Sequence, residues 1–289
     1  MTFDDLPGVV APGEGVPELT AITGKLVRTI VASGIPAIGF VNEGKLAPRG
    51  TPEPDRVALL ERWLSAGLEL GNHTYSHLDL HKASLDEFEE DVVRGEETTK
   101  ALLSSRHRPL RYFRHPFLHT GRSLDTKRAL EEFLARRGYR VAPVTLDNSE
   151  WIFARAYALA KKRGDAKAAA NVARAYVPYM EAKIEYFERQ SLRLFSREIR
   201  QILLVHANGL NADHFRDLVQ RLRARGYAFI SLDRALEDPA YASADTFTGA
   251  GGITWLHRWA LTAHGRDGIL TGEPPTPPFI LRAAGITEE

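Results

Sequence analysis

The chain has 289 residues, with 38 lysines and arginines against 37 aspartates and glutamates, so its formal charge is +1. Such an even balance provides no field to hold a nucleic acid backbone or an anionic membrane, which excludes both as default partners. The sequence has no run of about 18 apolar residues, so no membrane-spanning helix is expected. It has no cysteine, which removes disulfides and cysteine-bound zinc but leaves the redox compartment open.

The first residues lack the charged and apolar regions of a signal peptide. Only three residues precede the adjacent carboxylates Asp4 and Asp5, which is too few for a full strand. We therefore expect the natural product to begin further upstream. The missing leader does not indicate a cytoplasmic protein.

Helical and strand-like patterns alternate along the chain. Helices are predicted over residues 16–32, 54–66, 84–103, 123–137 and 211–225. Strands are predicted over residues 35–41, 68–70, 111–114, 139–145, 201–205 and 227–231. Ser84 and Glu87 have the spacing of a capping box at the start of the third helix. The alternation favours parallel strands covered by helices, as in an α/β barrel or a doubly wound sheet.

Two segments depart from this alternation. Residues 151–200 are rich in alanine, arginine and lysine and predict a helical insertion, interrupted at Gly164 and kinked at Pro178. The last segment, residues 239–289, predicts a C-terminal arm packed on the same domain. We therefore divide the chain into a catalytic domain, residues 1–238, and this arm.

Polar side chains lie near the start of the chain and at or just beyond the ends of four predicted strands. They are Asp4 and Asp5, His73 and His77, Arg114, Asp147, and His206. Because the carboxyl ends of parallel strands meet on one face, these side chains are expected at the mouth of one cavity.

His73 and His77 are four residues apart, a spacing that lets two imidazoles share a metal when the segment is helical. A catalytic zinc site also needs a third protein ligand, and Asp4 or Asp5 can supply it. Adjacent side chains of a strand point in different directions, so one carboxylate can bind metal while the other acts as a base.

The remaining polar residues each allow two interpretations. Arg114 is a surface arginine or the partner that keeps the base carboxylate ionised. Asp147 fixes that arginine or forms an Asx turn before a helix. His206 is a buried core histidine or a group that leaves its strand toward the cavity.

Together these residues resemble the polysaccharide deacetylases, carbohydrate esterase family four, also called the NodB homology domain. Five motifs occur in the order of that family: Thr2-Phe-Asp-Asp5, His73-Thr-x-x-His77, Arg114-x-Pro-Phe117, Asp147-x-x-Glu-Trp151 and Leu204-x-His206. The resemblance implies an α/β fold, a distorted, incomplete (β/α) barrel of parallel strands, with the helical insertion and C-terminal arm added. It departs from the family where Glu150 replaces an aspartate and Phe117 a frequent tyrosine.

The resemblance also implies roles for ten residues. Asp4 would be the general base, Arg114 would orient it with Asp147 behind, and His206 would be the general acid. A divalent metal, zinc or a similar ion such as cobalt, would be held by Asp5, His73 and His77. The backbone N–H of Phe117 would bind the oxyanion, and Trp151 and Leu204 would line the pocket for the acetyl methyl group.

The function implied is metal-dependent removal of acetyl groups from an N-acetylated glycan, peptidoglycan- or chitin-like, by metal-activated water. The alternatives are an esterase on O-acetylated polysaccharide, an amidase on a small cyclic amide, and a non-catalytic carbohydrate-binding relic. We expect the full-length precursor to be periplasmic or secreted, with a cytoplasmic location left open, and the oligomeric state is not predicted. Of the other histidines, His81 is expected at the surface, His115 and His119 are equally expected in or out of the cleft, and His257 is expected to pack.

Overall fold

A sheet of six parallel strands lies at the centre of the chain, in a computed structural model that describes residues 1–265 and 271–287. The strands are β1 Thr2–Val9, β2 Ile38–Val41, β3 Glu69–Asn72, β4 Tyr112–Phe113, β5 Arg140–Val141 and β6 Leu204–Asn208. Their spatial order is β5-β4-β3-β2-β1-β6, and every neighbouring pair is parallel. The sheet therefore directs the carboxyl ends of all six strands to one face.

Helices connect and cover these strands. They are α1 Val16–Ala32, α2 Pro54–Ser65, α3 Leu85–Arg94, α4 Glu97–Ser104, α5 Leu124–Arg136, α6 Glu150–Lys162, α7 Ala166–Phe195, α8 Gly209–Ala224, α9 Leu232–Leu236, α10 Trp255–His264 and α11 Pro278–Ala284. The predicted capping box is present at α3, where the Glu87 carboxylate accepts from the Ser84 N–H at 2.9 Å and the Glu87 N–H donates to the Ser84 hydroxyl. No helix within the described ranges is long and apolar enough to cross a bilayer.

The sheet curves toward closure without completing it. The segment after β5 and the segment before β6 meet at one parallel bridge, between Leu146 and Leu203. The N–H groups of Thr145 and Leu146 both donate to the Ile202 carbonyl at 3.0 Å. The predicted α/β fold, an incomplete barrel of parallel strands, is thus confirmed.

The prediction of a first strand too short to form was wrong. β1 extends through both carboxylates to Val9, and Asp4 is in register with His206 on β6. The N–H and hydroxyl of Thr2 both donate to the Leu203 carbonyl at 2.9 Å. Phe3 is fully buried between the rings of Trp63 and Phe215. The carboxylates do not end this strand because they face a cavity, where polar groups are tolerated within a strand.

Two other strand predictions also differ from the structure. Residues 227–231, all within the described part of the chain, form no strand. Tyr227 instead donates from its hydroxyl to Glu188 on α7 at 2.9 Å. The strand predicted over residues 201–205 is displaced to Leu204–Asn208, so it carries His206 at its centre rather than beyond its end.

The predicted insertion consists of α6 and α7, which are separated at Gly164 as expected. α7 continues through Pro178 for 30 residues. The arm begins with a short 3-10 turn over Pro239–Ala242 and then forms α10 and α11. Residues 266–270 and 288–289 of the arm lie outside the described residues. The division into a catalytic domain and an arm stays a prediction.

Gly39 provides a test of this packing, since it lies in β2 between β1 and α2. A Cβ at this position would overlap the Leu6 side chain and come within 3.3 Å of the Trp63 ring. We expect Gly39→Ala to lower the free energy of unfolding by about 1–3 kcal/mol, because a close-packed core resists added volume. Urea denaturation measures this change.

Gly209→Ala is the control, because a Cβ there meets no atom within 4 Å and the residue opens a helix. Equal stability of the two variants would contradict the packing described for β2.

Candidate active site

One cavity of about 810 Å³ opens at the carboxyl ends of the strands. Nine of the ten residues singled out in the sequence line it, and the tenth, Arg114, is fully buried behind Asp4. The lining residues from that set are Asp4, Asp5, His73, His77, Phe117, Asp147, Trp151, Leu204 and His206. The convergence follows from the parallel sheet, since each residue lies on, or just after, a strand or its extension.

Asp5, His73 and His77 form a compact group that fits a divalent cation. The Asp5 Oδ1 atom lies 3.9 Å from His73 Nε2 and 3.7 Å from His77 Nε2. This carboxylate oxygen is buried and has no hydrogen-bond partner. The Nδ1 atom of His73 donates to the Arg114 carbonyl at 2.8 Å, which leaves the lone pair of Nε2 toward the carboxylates. Two imidazoles and one carboxylate are a ligand set typical of catalytic zinc.

The ionisation of this group also suits a cation. Burial alone would raise the pKa of Asp5, but the positive charges of Lys45, His77 and His206 together lower it below its usual range. The Lys45 ammonium lies 3.2 Å from Asp5 Oδ2. Burial lowers the pKa of His77 and holds that of His73 well below its usual value. At neutral pH the group therefore offers a carboxylate and two neutral imidazoles.

Asp4 and Arg114 form a buried pair beside this group. Arg114 Nη1 lies 3.6 Å from Asp4 Oδ2, and Nη2 donates to the Thr2 hydroxyl at 3.0 Å. The guanidinium carbon lies 4.8 Å from the centre of the Phe40 ring. Burial raises the pKa of Asp4, and the charge of Arg114 opposes that rise. A buried carboxylate with a raised pKa, held by an arginine, is suited to accept a proton.

No ion pair within 4 Å joins Asp147 to Arg114 in the described part of the chain, but burial lowers the pKa of Arg114 and the charges of Asp4 and Asp147 oppose that fall. The role of Asp147 behind Arg114 stays a prediction. Asp147 lines the cavity directly after Leu146, which pairs with Leu203 just before β6. Its carboxylate accepts from the Asn148 N–H at 2.8 Å, and burial raises its pKa to about 6. The Asx turn at this point is formed by Asn148, whose side-chain oxygen accepts from the Glu150 N–H at 3.0 Å.

Glu150 is the residue that sequence reasoning missed. Its carboxylate is fully buried, and Oε2 lies 2.9 Å from His206 Nδ1. The side-chain amides of Asn208 and Asn211 donate to Oε1. Burial opposes protonation of the imidazole, but the hydrogen bond and charge of Glu150 raise the pKa of His206 to about 9. A signal was present in the sequence, because a glutamate opens the apolar helix that begins with the fourth motif.

The proposed substrate-contacting residues lie around the mouth of the cavity. The Phe117 ring is 51% exposed and packs edge-on against His77, with 4.4 Å between ring centres. Trp151 is 46% exposed on α6, whereas Leu204 is buried at the base. Phe117, Leu118 and His77 have positive φ of 55°, 54° and 57°, and Asp5 has a φ of 71°. Such backbone conformations are uncommon outside glycine and concentrate at functional sites.

The other histidines divide between cavity and core. His115 and His119 line the cavity, whereas His257 is buried and hydrogen-bonds the Tyr186 hydroxyl at 3.0 Å. His81 is partly buried rather than exposed, and its ring stacks on His119 with 3.8 Å between centres and 7° between planes. These two rings and Asp79 form a second group of metal-ligand type, but two parallel imidazole planes cannot both contain one ion.

The fold and the site together define an incomplete α/β barrel with a candidate metal centre, beside which lie a buried carboxylate and a histidine paired with a glutamate. Residues 1–137 match the family model described as polysaccharide deacetylase, which confirms the resemblance drawn from the motifs. This matched part of the chain carries the first three motifs. The Glu150 and His206 pair lies beyond the matched residues.

Solved structures of the carbohydrate esterase family four (CE4) share the fold. A CE4 esterase from Streptococcus mutans is 16% identical with a TM-score of 0.51, and the alignment covers 80% of this chain and 83% of that one. For peptidoglycan deacetylase PdaC from Bacillus subtilis the identity is 18%, the TM-score 0.47 and the coverage 82% and 88%.

A mutant CE4 family pseudoenzyme with restored enzymatic activity is 15% identical with a TM-score of 0.49. The alignment covers 81% of this chain and 65% of the pseudoenzyme, whose wild type is from Bacillus anthracis. The chain thus spans less than two thirds of the length of that relative.

The metal centre can be tested by removing one ligand at a time. We expect Asp5→Asn to weaken zinc binding at least about 10–100-fold, since outer-shell changes alone have effects of that size. Competition with a chromogenic chelator measures the affinity. Asp79→Asn, in the second group, is the matched control and should keep the affinity of the wild type. Loss of zinc in Asp79→Asn with retention in Asp5→Asn would reverse the assignment.

Proposed function

We propose that the protein is a metal-dependent hydrolase that removes acetyl groups from an N-acetylated glycan, peptidoglycan- or chitin-like. The observation that carries this proposal is that Asp4 and His206 line the same cavity as the Asp5, His73 and His77 group. The match of residues 1–137 to the polysaccharide deacetylase family model supports the same reaction class. We further propose zinc as the metal and a periplasmic or secreted location.

When bound, the metal would supply Lewis-acid polarisation of the amide carbonyl and activation of water. Asp4 takes the proton of the attacking water, and Arg114 keeps the carboxylate oriented. The N–H of Phe117 stabilises the oxyanion that develops as water adds to the carbonyl carbon.

His206 completes the reaction. Its Nδ1 is held by Glu150, so Nε2 delivers a proton to the nitrogen as the carbon–nitrogen bond breaks. The raised pKa keeps the imidazole protonated at neutral pH. The products are acetate and a free amino sugar.

The first test is acetate release from N-acetylated chitooligosaccharides by protein treated with a chelator, with and without added zinc. We expect release that depends on zinc. Absence of release while zinc is bound would refute N-deacetylation and favour O-acetyl esters or cyclic amides. Absence of both release and zinc binding would favour a carbohydrate-binding relic.

Asp4→Asn separates the base from the metal ligands. We expect the variant to retain zinc while kcat falls by about 10²–10⁴, the usual contribution of a positioned acid or base. Acetate release and bound zinc are measured on the same preparation. Loss of zinc in Asp4→Asn would mean that Asp4 and Asp5 have exchanged roles.

The acid is tested through the pH dependence of kcat. His206 must be protonated to act, so the rate should fall as pH rises through about 9. In Glu150→Gln the pKa of His206 should move toward its ordinary value of 6.5. The fall in rate with rising pH should therefore begin at a lower pH than in the wild type. Glu188→Gln, which changes a carboxylate bonded to Tyr227 and Arg225, is the control. An unchanged alkaline limb in Glu150→Gln would remove this pair from the mechanism.

A further inference from the structure

Arg258, from the C-terminal arm, is buried against the loop that carries Phe117. Its side chain is 1% exposed. Nη1 donates to the Thr120 hydroxyl at 2.7 Å, and Nη2 donates to the Leu118 carbonyl. Nε donates to the Ile253 carbonyl of the arm itself at 2.9 Å. The single guanidinium thus connects the arm to two loop residues that follow Phe117, namely Leu118 and Thr120.

The surroundings of Arg258 hold the guanidinium in place. The guanidinium carbon lies 4.3 Å from the centre of the Trp255 ring, and the backbone N–H of Trp255 donates to the Val144 carbonyl at 2.8 Å. Asp245 lies 3.8 Å from Nη1 and is itself paired with the buried Lys127 at 2.6 Å. The planar fork of an arginine suits such a set of separate acceptors, which a lysine ammonium would not reach together.

Gly252 makes an independent contact with the same loop. It lines the cavity, and a Cβ at this position would overlap the Phe117 carbonyl oxygen and approach the carbonyl carbon to 2.9 Å. The arm therefore lies directly against the backbone of Phe117. Phe117 and Leu118 both have positive φ, so this segment of the loop requires support from its surroundings.

We propose that Arg258 is a positioning residue, through which the arm holds residues 116–120 with the Phe117 N–H directed at the reacting carbonyl. This inference rests on the proposed deacetylase function. It assigns a role in the chemistry to a segment that lies outside the residues matched by the family model. It predicts that disturbing the arm at this point slows turnover without weakening the metal centre.

Two adjacent glycines provide a matched test. We expect Gly252→Ala to lower kcat by about 10–100-fold with little change in KM, because a displacement of about 1 Å at a reacting group has an effect of this size. A Cβ on Gly251 approaches only Ile253, at 3.8 Å, so Gly251→Ala should keep the kcat of the wild type. Bound zinc should be the same in both. Equal kcat in the two variants would overturn the proposal.

A second pair of variants changes the guanidinium itself. Hydrogen exchange measured by mass spectrometry should show faster exchange of the amides of residues 117–121 in Arg258→Met than in the wild type. Arg258→Lys should restore little of the protection, because one ammonium cannot replace three separate donors. Exchange identical to that of the wild type in Arg258→Met would overturn the proposal. If Arg258→Met does not fold, Gly252→Ala decides by the same measurement.

The exchange experiment also separates this inference from the proposed function. If the wild type releases no acetate, the deacetylase proposal fails. The positioning contact is then still tested, because faster exchange in Gly252→Ala than in Gly251→Ala supports it and equal exchange refutes it.

Discussion

The buried ion pair between Asp4 and Arg114 is the interaction on which the rest of the site depends. Two charges removed from water are stable only when each has its partner, so neither can be lost without leaving the other uncompensated. Arg114 also connects the neighbouring strands, since its N–H donates to the Asn72 carbonyl and its own carbonyl accepts from His73. The residue that orients the proposed base therefore also fixes the tautomer of a proposed metal ligand.

The same cavity moves the pKa values of its ionisable groups in opposite directions. Lys45 and the histidines lower the pKa of Asp5, whereas Glu150 raises that of His206 to about 9. When local environments separate the pKa values of neighbouring groups in this way, one site can hold a protonated acid and an anion at the same pH. Glu150 can raise the pKa of His206 from a buried position because the side-chain amides of Asn208 and Asn211 donate hydrogen bonds to its second oxygen.

Strand–helix alternation predicted parallel strands covered by helices, and the ends of those strands predicted the residues that converge at one mouth, because these are local and topological signals. The incomplete barrel was predicted by the resemblance of the five motifs to a family. The sequence did not predict the partner of His206, because Glu150 reaches it across 56 residues through the packing of α6 on β6. The full length of β1 was also missed, since Asp4 and Asp5 look like a strand end when their cavity is unknown. The sequence also contained no sign that the chain after β5 turns toward β6, where Leu146 pairs with Leu203.

The C-terminal arm shows most clearly why part of the site is invisible in the sequence. Arg258 and Thr120 are 138 residues apart, and no motif connects them. Yet positive φ at Phe117 and Leu118 costs about 1–3 kcal/mol per residue, and it persists only where neighbouring structure imposes it. Charge-assisted hydrogen bonds from Arg258, each contributing about 1.5–3 kcal/mol, are of the size needed to offset that strain. A loop that presents a backbone N–H to an oxyanion thus requires an external support, and in this chain the arm is the element in position to provide it.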